Sequence, residues 1–267
     1  MRLRRKKRTA PHGSNHSADQ HRRFVRIASP VKFLVQDLGQ MEYRAAWQLQ
    51  NDLAQQIALG LRPATLLLVE HPHTYTFGRR GQAANLLWDE AELARRGISV
   101  HWVDRGGDVT YHGPGQLVGY PLLQLDSSHM EDATPRADYV GYLRNLEKML
   151  IVTLAQLGLA AGQLTGHTGV WIQPEIASRC PRCAPADRGK PAKIAAIGVK
   201  VDARGVTRHG FALNVAPQME YFQGIIPCGL SDYPVISLAD LLETPPDMET
   251  VKSAVVAAFS EIFAPDV

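Results

Sequence analysis

No stretch of the chain carries the roughly 18 to 20 consecutive apolar residues that cross a bilayer, and the basic N-terminus is not followed by the apolar segment of a secretory signal. A cytoplasmic protein with no membrane partner is therefore expected. Cysteine is scarce: three in 267 residues, an odd number that builds no disulfide framework, and a reducing compartment leaves all three as thiols. The body of the chain also lacks excess positive charge. Its net +3 conceals a tail in which Arg2, Arg4, Arg5, Lys6, Lys7, Arg8, Arg22 and Arg23 face Asp19 alone, which leaves the remainder acidic and ill suited to nucleic acid. Residues 1–30 read as a solvated basic extension. The 45% hydrophobic and 21% charged composition is that of a globular protein able to build a core, so residues 31–267 are expected to form one domain.

Within that body, regular strand-helix alternation is missing too, and the pattern is α+β, a mixed sheet flanked by helices, rather than a doubly wound sheet. Val31 to Gln36, Leu66 to Glu70, Thr74 to Phe77, Ile98 to Val103 and Leu117 to Leu125 read as strands. Met41, Ala45, Leu49, Leu53, Ile57 and Leu61 recur at helical spacing, and Glu90 to Arg96 forms a short helix. Thr134-Pro135 announces a second long helix with Tyr139, Leu143, Leu146, Leu150 and Leu154 on one face and Gly158 past its end. Strands follow at Gly169 to Ile172, Lys193 to Val201 and Val206 to Val215, the last two joined by a turn at Asp202 to Gly205. A Pro-rich loop separates Ile172 from Lys193, and helices at Leu238 to Leu242 and Met248 to Phe263, the latter capped by Asp247, complete the reading.

Three segments stand out chemically. Arg105-Gly-Gly-Asp-Val-Thr-Tyr-His-Gly-Pro-Gly-Gln116 combines glycine clusters with polar side chains; taken alone it favours a structural turn with His112 as a satisfied polar side chain over a backbone that a ligand approaches closely. Lys193 opens an apolar strand, Lys193-Ile-Ala-Ala-Ile-Gly198. Its amine either snorkels to solvent or sits in a cleft where it can stabilise a thiolate or exchange a proton. Cys228 lies between Pro227 and Gly229, where it is either a small buried hydrophobe or an exposed nucleophile. Next to the lysine strand, His209-Gly-Phe-Ala-Leu-Asn214 offers a further glycine, and Cys180-Pro-Arg-Cys183 supplies half of a zinc ligand set with no second CxxC, which His167, His209 or another residue would have to complete.

In this order and separation these segments, with His71-Pro before Thr76-Phe-Gly-Arg-Arg-Gly81, resemble the lipoyl(octanoyl) transferase family from about Phe33 to Phe263. The resemblance implies the catalytic-domain fold shared with biotin and lipoate protein ligases, with the acyl chain in a central groove. It also implies Cys228 as acyl-thioester nucleophile and Lys193 as the residue that lowers its pKa. Arg105, Gly106, Gly107, Asp108, Val109, Thr110, Tyr111 and His112, Ala196, Ile197 and Gly198, and Gly210, Phe211 and Ala212 are the implied substrate-site residues. The implied reaction moves octanoyl from acyl carrier protein to a lysine of lipoyl domains, those of 2-oxoacid dehydrogenase E2 subunits and of the glycine cleavage H protein. It needs no ATP, metal or redox cofactor. An ATP-dependent lipoate or biotin ligase on the same fold is the rival, and it would leave Cys228 idle. Three features depart from the family pattern: the basic tail, His73 where a second proline is frequent, and a longer loop from Ala177 to Ala192.

Overall fold

The computed structural model describes residues 33–125, 129–131, 134–136, 138–181 and 183–264; the expected basic tail lies outside them. In chain order the elements are β1 (Leu34–Gln40), α1 (Tyr43–Ala58), β2 (Thr65–Glu70), β3 (Thr74–Phe77), α2 (Glu90–Arg95), β4 (Ser99–Trp102), β5 (Val109–His112), β6 (Gln116–Leu122), β7 (His129–Glu131), β8 (Thr134–Arg136), α3 (Tyr139–Gln156), β9 (Gly162–Leu164), β10 (His167–Ile172), α4 (Pro174–Ala177), β11 (Ala192–Val201), β12 (Thr207–Asn214), α5 (Leu238–Leu241) and α6 (Met248–Phe263). Seven strands form a mixed sheet in the order β1-β2-β6-β12-β11-β10-β9, and a smaller sheet has the order β4-β3-β5.

Why the large sheet is covered on both faces is written in β2. Its Thr-Leu-Leu-Leu-Val-Glu run alternates sides, so Leu66 and Leu68 enter one core with α3 and α6, while Leu67 and Val69 enter another with α1. The first core packs Leu146, Leu150, Val255 and Phe259 of the helices against Leu117, Val170, Ile194 and Leu213 of the sheet. A third cluster, Tyr75, Phe77, Val109, Tyr111, Tyr221 and Ile225, lies against the small sheet. The β11–β12 hairpin is in the expected place: Val201 pairs with Thr207, and the turn is closed by Gly205 N donating to Asp202 O at 3.0 Å.

Four expectations need correction. The first strand is shifted, running to Gln40 rather than Gln36, and residues 31 and 32 lie outside the described set. The buried face of α1 is Tyr43, Ala46, Gln50, Leu53, Ala54 and Ile57, whereas Ala45 is exposed and Leu61 is 75% exposed beyond the helix end. Of the expected positions Leu53 and Ile57 lie on this face and Met41 and Leu49 pack partly buried against the same core, while Tyr43, stacked among His71, His101 and His112, and Gln50, accepting from His209 N, lie off the apolar repeat. The third helix begins not at Thr134-Pro135, whose backbone pairs with β7, but after Asp138, whose carboxylate accepts from Gly141 N at 2.8 Å. Finally, Cys180 and Cys183 are joined by a disulfide rather than left as thiols. Their sulfurs therefore do not share a ligand set with His167, which packs on Trp171 and Tyr233, or with His209. The pair follows α4 in the connection between β10 and β11, and Cys180 is buried in the main core.

Candidate active site

The polar motifs meet where the small sheet leans against the open faces of β6, β11 and β12. Cys228 sits in a short 3₁₀ turn, Pro227–Gly229, with φ +57, a left-handed backbone that non-glycine residues rarely hold; Gly229 follows at φ +67. The turn is fixed by Gly229 N donating to Ile226 O and Leu230 N to Pro227 O, each at 3.0 Å. The result is a partly exposed free thiol.

Lys193 reaches it from β11. Its Nζ is 3.5 Å from Cys228 Sγ and 4.7 Å from the centroid of the Trp171 ring, with the residue only 8% exposed. A buried amine of this kind is held by packing on every side. Beneath its stem runs Gly169 at φ +121, where a Cβ would stand 2.7 Å from Ala195 O and within 3.7 Å of the Lys193 methylenes. Gly169 N in turn donates to buried Glu147 at 3.1 Å, and that carboxylate also accepts from Arg144 and Gln163. The backbone of Lys193 is tied on both sides to the Cys228 segment, its N donating to Pro234 O and its O accepting from Ile236 N.

The Arg105 loop forms the other wall. Gly78 N, Arg79 N and Arg80 N donate to Asp108 O, Arg105 O and Gly107 O, so the Thr76 to Gly81 motif is zipped to the loop. A Cβ on Gly78 would lie 2.4 Å from Gly107 O, and one on Gly198 would lie 3.0 Å from Arg105 Cδ. Asp108 accepts from Gln82 N, Val109 N and Asn85 Nδ2, a set of donors that consumes its carboxylate in holding the turn.

From Arg105 a hydrogen-bond chain crosses the site in one direction. Arg105 Nη2 donates to Thr76 Oγ1 at 2.9 Å; the Thr76 hydroxyl then donates to His112 Nε2 at 3.3 Å; His112 Nδ1 donates to Gln116 Oε1 at 2.8 Å. Gln116 Nε2 donates to Asn214 Oδ1 at 2.9 Å, and Asn214 Nδ2 to Ile236 O at 3.0 Å. Donor and acceptor capacities close only if His112 is neutral, and burial indeed drives its pKa well below the usual histidine value. His71 is likewise held neutral, its pKa pushed down by burial to about 4. Because Met41 O can only accept, His71 Nδ1 carries the proton at 2.7 Å and Nε2 accepts from Tyr120 OH, also at 2.7 Å. At the back, burial lowers the pKa of His209, whose Nε2 donates to Asp104 at 2.8 Å. The Asp104 carboxyl is raised by its own burial, but hydrogen bonds from His209 and Lys200 and the nearby Arg208 charge outweigh this and hold it below the carboxylate range.

Between these walls lies a narrow, mostly apolar cleft that reaches Cys228. Twelve of the expected residues border it: Arg105, Gly107, Asp108, Thr110, His112, Ala196, Ile197, Gly198, Gly210, Phe211, Ala212 and Cys228. Gly106 instead binds Val199 O through its N, and Val109 and Tyr111 point into the aromatic cluster behind β5, as strand alternation requires. Lys193 flanks the cleft from an adjoining pocket that it shares with Cys228, Thr110, Ala196 and Ala212. Tyr43, Val118, Tyr120 and His209 also line the cleft and were not anticipated. Alternation along β6, where Val118 and Tyr120 share a face, was the available signal for two of them. Phe211 projects inward because its cross-strand partner is Gly119, where a Cβ would lie 2.2 Å from the ring.

A small-ligand cleft with a thiol and an amine at its edge, carried on a mixed sheet flanked by helices, defines a class of catalytic domain that handles acyl groups. The chain belongs to the lipoyl protein ligase A/B catalytic-domain family, whose model matches residues 42–260. It is 44% identical over 230 residues to an octanoyltransferase of Chloroflexus aggregans, covering 86% of this chain and 94% of the relative. It is 42% identical over 233 residues to an octanoyltransferase of Mycobacterium leprae, covering 87% and 88%. Among solved structures it resembles the bipartite lipoate protein ligase of Thermoplasma acidophilum, with a TM-score of 0.63 at 18% identity over 87% of this chain and 84% of that one, a likeness of fold. Among the described residues no helix is long and apolar enough to cross a membrane.

Proposed function

We propose that the protein is an octanoyltransferase that moves an octanoyl group from acyl carrier protein to a lysine of lipoyl domains through a thioester on Cys228. The observation that carries this reading is the 3.5 Å approach of Lys193 Nζ to Cys228 Sγ at the edge of the cleft. An ammonium at that distance, buried and backed by Trp171, favours negative charge on the sulfur, the form that attacks a carbonyl. Cys228 Sγ bonds the acyl carbon, the bond to the carrier's sulfur breaks, and the leaving thiolate takes a proton from Lys193. The acceptor amine then bonds the same carbon and the bond to Cys228 breaks. Neutral Lys193 takes the proton that the amine loses, which restores the starting state. A thioester is already activated, so the route consumes no ATP.

In this reading residues 31–267 act as one catalytic domain in the cytoplasm, behind the basic tail at 1–30. The acceptors are lipoyl domains of 2-oxoacid dehydrogenase E2 subunits and the glycine cleavage H protein. In that compartment the Cys180–Cys183 pair would pass between dithiol and disulfide. The alternative, a ligase that adenylates a free acid, requires ATP and no cysteine nucleophile.

Intact-protein mass spectrometry separates the two. Mixed with octanoyl-carrier protein and no ATP, the native chain gains one octanoyl group that hydroxylamine removes, and Cys228→Ala gains none. No adduct without ATP, but lipoyl-domain modification once ATP and octanoic acid are supplied, would transfer the protein to the ligases.

A further inference from the structure

The cleft has two ends. Cys228, Thr110, Ala196 and Ala212 border both the cleft and the pocket of Lys193, which places them at the thiol end. Along β12 the lining passes from Ala212 through Gly210 to His209, three strand steps or about 10 Å away. An extended eight-carbon chain is of similar length, roughly 9 Å for its zigzag of C–C bonds of about 1.5 Å each. An acyl chain attached at Cys228 and lying along β12 therefore ends beside His209.

What stands there is polar. Tyr43, Trp47 and Gln50 follow one another at helical spacing on one face of α1. Tyr43 lines the cleft, the Trp47 ring centroid is 6.1 Å from that of His209, and Gln50 Oε1 accepts from His209 N at 2.8 Å. Six buried side-chain polar atoms have no hydrogen-bond partner among the described residues, and three of them gather here: Trp47 Nε1, Gln50 Nε2 and His209 Nδ1. Their roles are fixed by chemistry. The indole N–H can only donate, and the Gln50 amide nitrogen donates because its oxygen is the atom that meets His209 N. His209 Nε2 donates to the Asp104 carboxylate, so Nδ1 of the neutral ring is an acceptor.

We propose that Trp47, Gln50 and His209 form a polar end wall of the acyl cleft and set the longest chain that the enzyme accepts. This rests on the octanoyltransferase reading. A single water molecule satisfies all three atoms, accepting from the two N–H groups and donating to His209 Nδ1, whereas a methylene satisfies none of them. An eight-carbon chain stops at the wall and leaves it hydrated. The ninth and tenth carbons of a longer chain displace that water and strand two donors and an acceptor out of solvent, which slows acylation by about tenfold or more. An apolar wall with room behind it would act in the opposite sense, because each added methylene would gain by burial.

The test compares chain lengths within one protein. Acylation of Cys228 by octanoyl- and decanoyl-carrier protein, timed by intact mass, gives a decanoyl-to-octanoyl rate ratio for each variant, from which any general loss of active enzyme cancels. Native enzyme is expected to take decanoyl about tenfold or more slowly. Gln50→Met keeps the side-chain length and removes the amide, and Trp47→Phe removes the indole N–H; each should raise the ratio by about threefold or more. Native discrimination under about twofold, or ratios in both variants within about twofold of native, would overturn the polar wall. A rise in Trp47→Phe beside a folded but unchanged Gln50→Met would overturn it too, since the smaller ring then acts by space alone. Gln50→Met also leaves His209 N without its acceptor; if it does not fold, the Trp47→Phe ratio decides. Failure of native enzyme to acylate from either donor would instead overturn the octanoyltransferase reading.

Discussion

Acid should weaken this protein well above the pH at which its carboxylates protonate, and His71 sets the scale. Its folded pKa is about 4 because burial disfavours the imidazolium, against roughly 6.5 in an unfolded chain. Between those values the unfolded state binds the proton and the folded state does not, so stability falls as pH falls through that window and is fully present above it. The slope is about 1.4 kcal/mol per pH unit for one site, which amounts to about 2.5 kcal/mol between pH 7 and pH 4.5. His112 and His209, also pushed down by burial, act with the same sign. Urea unfolding followed by circular dichroism at several pH values measures the profile. His71→Phe isolates the one residue: whatever it costs at pH 7, its slope between pH 6.5 and 4.5 should be shallower than native by about 1 kcal/mol per unit on average. Parallel native and variant profiles would refute a buried neutral His71.

Lys193→Met should lower the acylation rate by about 10²- to 10⁴-fold while leaving the melting temperature unchanged or higher, because it replaces a buried ammonium with an apolar side chain of similar length; a clear drop in melting temperature would show the amine to be structural. Thr76→Val interrupts the hydrogen-bond chain between Arg105 and His112 and should slow acylation about tenfold, with Thr76→Ser restoring most of it in the same assay. Gly119→Ala pushes a methyl into the Phe211 ring and should cost about 1–3 kcal/mol in urea unfolding and impair acylation. Cys180→Ser/Cys183→Ser should lower stability by at most about 2 kcal/mol, since the loop it opens is short, and dithiothreitol should bring native protein to the same melting temperature.

Much of the fold is legible because its elements obey local rules. Thr74 to Phe77 and Met248 to Phe263 are found at the expected bounds, and Asp247 caps as anticipated, accepting from Thr250 N at 2.7 Å. The misses share a cause. Tyr43, Gln50 and Glu147 are buried against groups from distant segments: Tyr43 packs on the rings of His71, His101 and His112, Gln50 Oε1 accepts from His209 N at 2.8 Å, and Glu147 accepts from Gly169 N. Apolar periodicity scores Gln50 and Glu147 as surface, so the buried face of α1 includes Gln50 as well as the expected Leu53 and Ile57.

At the site, composition found the reactive residues but not the geometry that makes them one unit. Period two along β5 separates Thr110 and His112, which face the cleft, from Val109 and Tyr111, which pack behind it; the motif read as a string merged both sets. The hydrogen-bond chain is less accessible still, because its members come from β3, the Arg105 loop, β5, β6 and β12. Its direction is nevertheless forced. Arg105 can only donate and the Ile236 carbonyl can only accept, so each intermediate group must accept on one side and donate on the other. A second proton on His112 would place a donor against a Thr76 oxygen already receiving Arg105, with no acceptor for the Thr76 hydrogen. Burial of His112 therefore does more than pack the core: by keeping the imidazole neutral it keeps the Arg105 loop joined to Ile236, whose N–H holds Lys193 beside the thiol.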